Sequence, residues 1–279
     1  MLKFMKYEIR GTYRFVLATI LVAALATLGI QYSVSGSAFN MDRPGYEDII
    51  LLQIMIPILS ILITAAVIAF LVYLIQSFRK ELYGDRGYLT FTLPLSGKEI
   101  LGAKFVTTML WSILFGVVLL VINMLGFRIF FGEFIWGEIT FQFKSILDFI
   151  GNRAITGALI YALLSSSVSL LTVYLAITIS KVAIRNRTIG GLWILIFIGL
   201  QVFFTFIESK IIDVFPLFIN MTEGIISSGD SLFVPEHGIT IDIMGGGPLL
   251  SISAVIYWLI LGIGIFLFTS YLLDRKIEL

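Results

Sequence analysis

Residues 188–207 read TIGGLWILIFIGLQVFFTFI, twenty positions without a charge. From Ile194 to Ile198 the side chains are apolar on all sides, so the alternation of a barrel strand is absent. Crossing ~30 Å of hydrocarbon takes roughly 20 helical residues at about 1.5 Å each. A helix is required because lipid offers no partner to an open backbone. The stretch predicts a membrane-spanning helix. Five further uncharged stretches lie outward from it, at residues 15–41, 49–78, 105–127, 154–180 and 243–273, and each is longer still. The expected fold is an all-α polytopic membrane protein with one transmembrane domain over 1–279. Its spans are placed near 15–34, 50–76, 105–127, 154–180, 188–207 and 249–273.

Composition agrees. Hydrophobic residues make up 58% of the 279 and charged ones 13%, against about 45–50% and about 25% in a soluble domain. That deficit excludes an ordinary water-soluble enzyme, a disordered chain and a nucleic-acid-coating one. There is no cysteine and one histidine, His237, which excludes disulfide scaffolds, thiolate catalysis and nearly every transition-metal site.

Lysine and arginine orient the spans. Fourteen of the 19 fall on one side: Lys3, Lys6, Arg10 and Arg14; Arg79, Lys80, Arg86, Lys98 and Lys104; Lys181, Arg185 and Arg187; Arg275 and Lys276. Both termini are therefore expected in the cytoplasm, with the chain in the plasma membrane. Residues 1–14 mix Leu2, Phe4, Met5 and Ile9 with cations, the pattern of an amphipathic helix lying on the inner leaflet among anionic lipids. Plain positive-inside anchoring explains the same cations.

The six uncharged stretches hold no ionisable group by construction, so no ion relay is visible in them. Pro57, Gly262, Gly264 and the serines at 165–167 read first as kink and packing positions. No P-loop, H-E-x-x-H or G-x-S-x-G motif is present, so no catalytic, cofactor or metal site is expected in this chain.

Residues 78–104 read FRKELYGDRGYLTFTLPLSGKEILGAK. Arg79, Lys80 and Glu81 extend span two as a charged helix, and Gly84 suits its C-terminal stop. Asp85, Arg86 and Gly87 turn the chain into a short, partly apolar element, Tyr88 to Leu93, which Pro94 ends. Ser96 and Glu99 form a capping box that starts a helix running into span three. Most connections have a median of about 4–6 residues, so this one is long. Tyr88, Leu89, Phe91 and Leu93 form either a docking surface or an aromatic edge lying back on the lipid interface.

This loop resembles the cytoplasmic loop of permease subunits in the type-2 ABC exporter family. There, a charged stretch ending in Glu is followed by Gly-x-Leu, then Leu-Pro-[Leu/Val/Ile]-Ser and a Lys entering span three. The layout of six spans with both ends inside is also similar. The resemblance implies a half-transporter that pairs with a second permease subunit, identical or homologous. Two separate cytoplasmic ABC ATPase subunits would carry ATP and Mg, and this chain would hold no cofactor. It further implies a coupling helix between spans two and three, with Glu81, Asp85, Arg86, Gly87, Tyr88, Leu89, Phe91 and Leu93 as the ATPase-coupling residues. A bacterial source, contact with membrane lipids and no nucleic-acid partner belong to the same expectation.

On the other side, residues 128–153 mix Phe130, Phe131, Phe134, Trp136, Phe141 and Phe143 with acids and bases and are expected along the outer interface. Residues 208–248 form the longest outer loop. Its stretch 211–226 is apolar enough to dip into the bilayer, and the resemblance implies a re-entrant helical hairpin there. Pro248 suits the first turn of span six. Outer acids number 12 against five bases, which is compatible with a cationic substrate but is also what charge sorting produces. The rival readings are a membrane sensor or scaffold that recruits a cytoplasmic partner, and an ion-coupled secondary transporter.

Overall fold

The structure is a computed structural model that describes residues 2–39, 46–83, 96–183, 191–221, 224–228, 239–242 and 247–275. Among these are six helices: α1 (Leu2–Phe39), α2 (Tyr46–Tyr83), α3 (Gly97–Ile150), α4 (Asn152–Ala183), α5 (Leu192–Val214) and α6 (Ile252–Arg275). Each contains a segment long and apolar enough to cross a membrane. The sequence thus distributes six spans as its charges predict, in a protein built for a lipid environment. By contact the chain divides into two units, residues 1–78 with 102–142, and residues 79–101 with 143–279.

In the first unit α1, α2 and α3 share a core of Val16, Ile20, Ala23, Ala66, Phe70, Leu74, Trp111 and Phe115. The Phe70 and Phe115 rings stack with centroids 4.3 Å apart. Polar pairs sit above this core. Lys104 Nζ contacts the Glu8 carboxylate at 2.5 Å and Ser77 Oγ at 3.0 Å. One helical layer on, Trp111 Nε1 donates to Thr12 Oγ1 at 2.9 Å. These contacts hold the first turns of α1 against α3, and no breaker interrupts the helix between residues 2 and 39. The separate interfacial helix expected over 1–14 is therefore replaced, from Leu2 onward, by the beginning of the first spanning helix. Near the other end of α1, Gln31 Nε2 donates to the Asn123 carbonyl at 3.0 Å. Gly126 stands opposite it: a Cβ there would lie within 2 Å of Gln31 Oε1, so the Gln31 side chain would have to move.

α3 does not stop at the predicted edge of span three. It runs to a break at Gly132, whose φ of 74° and ψ of 174° suit only glycine. The helix resumes over the aromatic stretch, leaving Phe141 and Phe143 exposed. Gly151, also at positive φ, closes it with an N–H bond to the Leu147 carbonyl at 2.8 Å.

The second unit is organised around α4. Residues Leu171–Thr178 are buried without interruption, as expected for a helix apolar on every side. Thr172 and Thr178 satisfy their hydroxyls on the Val168 and Tyr174 carbonyls, each at 2.8 Å. Gly262 of α6 lets Val168 approach to 3.0 Å of where a Cβ would stand, so its packing role holds; Gly264 has nothing within 4 Å.

Between α5 and α6 the described residues do not form the expected re-entrant helical hairpin. The described residues form four short strands: β1 (Leu217–Asn220), β2 (Ile226–Ser228), β3 (Ile239–Asp242) and β4 (Gly247–Ser251). They form one antiparallel sheet in the order β2-β1-β4-β3. Pro216 stops helical continuation, and Leu217-Phe218-Ile219 and Ile239-Thr240-Ile241 are rich in residues that favour strands. Pro248 consequently sits in β4 and not in the first turn of α6. Pairing with β1 begins only at Leu249, so Pro248 has β3 alone beside it. Ser251 then starts α6, its Oγ accepting the Ala254 N–H at 3.2 Å.

Candidate functional site

The loop from which the sequence draws its functional content is flanked by two firmly held helix ends, both in the second unit. On its N-terminal side is the last turn of α2. There Tyr83 receives two cations: the Arg79 guanidinium 5.6 Å from the ring centroid and Lys181 Nζ at 4.8 Å. Lys181 belongs to the last turn of α4, so this cation–π contact joins the ends of α2 and α4. Leu82 beside it is buried. Glu81 occupies the same last turn of α2.

On the C-terminal side is the first turn of α3. Ser96 adopts an extended conformation, and its N–H is accepted by the Glu99 carboxylate at 3.1 Å, as the predicted capping box requires. The next N–H, that of Gly97, donates to Asp274 Oδ1 at 2.6 Å. Asp274 lies at the end of α6, so a carboxylate from a neighbouring helix satisfies one of the donors that every helix start leaves open. The fit is close: a Cβ on Gly97 would stand 2.9 Å from the Ser270 carbonyl oxygen and 2.8 Å from Asp274 Oδ1. Ile100 and Leu101, which follow in the same helix, are buried.

The helix ends on either side of residues 84–95 are thus held, that of α2 to α4 through Tyr83 and that of α3 to α6 through Gly97. Of the expected coupling residues, Glu81 is placed by its backbone; Asp85, Arg86, Gly87, Tyr88, Leu89, Phe91 and Leu93 lie outside the described residues. Among the described residues no group of three His, Cys, Asp or Glu side chains is close enough to hold a metal ion.

A second polar centre lies within the helices of this unit, and the count of uncharged stretches misses it. α5 continues seven residues past Ile207 to Val214, which brings Glu208 into a spanning helix. Its side chain is 2% exposed. Oε1 accepts two hydrogen bonds, from the Tyr161 hydroxyl of α4 at 3.0 Å and from Trp258 Nε1 of α6 at 2.8 Å. The adjacent Tyr257 hydroxyl donates to the Phe204 carbonyl at 3.0 Å. One carboxylate therefore ties three helices together. The signal was present in the spacing: Phe204, Glu208 and Ile212 recur every fourth residue and form the buried face of α5.

No family model, curated protein or solved structure matches this chain.

Proposed function

We propose that this chain is the membrane-spanning subunit of an ATP-driven ABC exporter, in which residues 84–95 dock into separate cytoplasmic ATPase subunits. The observation that carries the reading is the anchoring of the two helix ends that flank that segment. A docking element on a slack connector would move without displacing anything. One tied through Tyr83 to α4 and through Gly97 to α6 passes a push on to spanning helices. The absence of a P-loop in the sequence fits a chain whose power source binds from outside.

In this reading the end of the molecule bearing residues 79–101, Lys181 and Asp274 faces the cytoplasm of a bacterial cell, as the distribution of cations requires. A second permease subunit completes the pathway, and ATP with Mg binds the partner ATPases. The four-stranded sheet then lies outside the cell, on a side where acids outnumber bases even without Glu208, which suits a cationic substrate. The test is detergent extraction of the tagged chain from its native cell, with mass identification of what accompanies it. A P-loop ATPase in stoichiometric amount is expected. Recovery of only non-ATPase partners under conditions that preserve other membrane complexes would replace the exporter reading with that of a sensor or scaffold.

A further inference from the structure

Two charged side chains are buried among the described residues, Lys104 and Glu208. Lys104 is neutralised by Glu8. Among the described residues Glu208 is held by neutral donors alone, and this inequality needs a cause. Removing a carboxylate from water costs several kcal/mol even after relaxation, and two neutral hydrogen bonds offset only part of that. An ionisable group kept inside a spanning bundle without a counter-charge marks an ion site.

We infer that Glu208 is a proton-binding site at the junction of α4, α5 and α6. The identity of the ion follows from space and ligand count. Calcium needs six to eight oxygen ligands and magnesium an octahedron of them, whereas this layer supplies one carboxylate, two tyrosines and an indole. An organic cation needs a cavity, and here Glu208 and Trp258 are 2% and 4% exposed in a packed contact. A proton needs one lone pair. Both donors use Oε1, and no described residue donates to Oε2. A carboxylate oxygen and the carbonyl oxygen of a carboxylic acid are both acceptors. A proton can therefore join Oε2, forming the O–H bond, and return to water without either Oε1 bond breaking.

The described groups facing the site carry no opposing charge. α4 contributes Tyr161, and α6 contributes Trp258 and Tyr257. On α5 itself Lys210 and Asp213 pair with each other at 3.1 Å on an exposed face. Arg153, at the start of α4, reaches Gly224 beside the strands. Glu208 lies six residues from the end of α5, about 9 Å of helix, so exchange takes place from the side that bears the sheet. The neutral acid lets the three helices close on one another; the anion draws water into their junction. The assignment does not depend on what drives transport.

The test uses the full chain in lipid nanodiscs, with Trp111, Trp136 and Trp193 changed to Phe so that Trp258 alone reports. Its emission is expected to titrate with pH, in step with a carboxyl C=O band in infrared difference spectra. Glu208→Gln, whose amide oxygen can accept both bonds, is expected to abolish both signals. Tyr161→Phe, which keeps the carboxyl but removes one donor, is expected to displace the midpoint; it serves as the second probe if the glutamine variant does not fold. The inference is overturned if the Glu208→Gln spectra match the parent's, if Tyr161→Phe leaves the midpoint in place, or if Trp258 answers to added sodium or potassium and not to pH.

Discussion

Lys104→Met is expected to destabilise the protein by about 3–5 kcal/mol, the range seen when one partner of a buried ion pair is removed. The reason is the charge left behind. Lys104 is 3% exposed and Glu8 15%, so water cannot replace the ammonium at the carboxylate, and Ser77 loses its partner as well. The contact spans 96 residues of sequence and fixes the beginning of α1 to α3, so its loss releases those turns. The double variant Glu8→Gln with Lys104→Met removes both charges of the pair and is expected to recover most of the loss. Reversible unfolding in mixed micelles measures all three proteins. A Lys104→Met stability within about 0.5 kcal/mol of the parent, the range of an ordinary surface substitution, would show that the pair does not organise this end of the unit.

The second large effect is expected at Gly97. An added methyl would meet the Ser270 carbonyl, the Asp274 carboxylate and Leu273 Cβ, all within 3.0 Å. Two of these three are main chain or the first side-chain atom of a helix, which cannot rotate aside. Gly97→Ala is therefore expected to cost about 1–3 kcal/mol through overpacking. It also weakens the 2.6 Å bond from the Gly97 N–H to Asp274. Gly116, in the same helix, provides the matched control. A Cβ there meets nothing within 4 Å, so Gly116→Ala is expected to stabilise by up to about 1 kcal/mol from helix propensity. If both alanine variants shift thermal unfolding in the same direction and by the same amount, α3 is not held against α6 in the way described.

Much of this architecture is legible in the sequence because it rests on local rules. Charges fence the apolar stretches, lipid permits only helices across them, and Ser96 with Glu99 announces the start of α3. What is not legible depends on distant partners. The count of uncharged residues ends span five at Ile207 because Glu208 is charged. Nothing near Glu208 in the sequence reveals that Tyr161 and Trp258 stand ready to receive it. Likewise Lys104 reads as one of the cations that orient the spans, and only Glu8 turns it into a buried pair. The segment 211–226 reads as a membrane-dipping hairpin from its apolar content. Pro216 and strand-favouring residues decide for a sheet once β4 is available to pair with β1. The candidate docking residues are legible as a motif in a long loop, and the structure adds the anchoring of both its flanks.

The proposed docking of residues 84–95 into an ATPase is best tested by proximity. The chain has no cysteine, so Tyr88→Cys supplies its sole thiol. A short thiol-to-amine cross-linker applied to native membranes is predicted to join that position to a P-loop ATPase, identified by mass. The same thiol placed at Ile219 in the sheet is predicted to give no such product. Adding Leu89→Asp and Phe91→Asp beside Tyr88→Cys is predicted to abolish the product while the protein stays in the membrane. Cross-linking of Tyr88→Cys to no nucleotide-binding protein, or an ATPase product of equal yield from Ile219→Cys, would contradict the account.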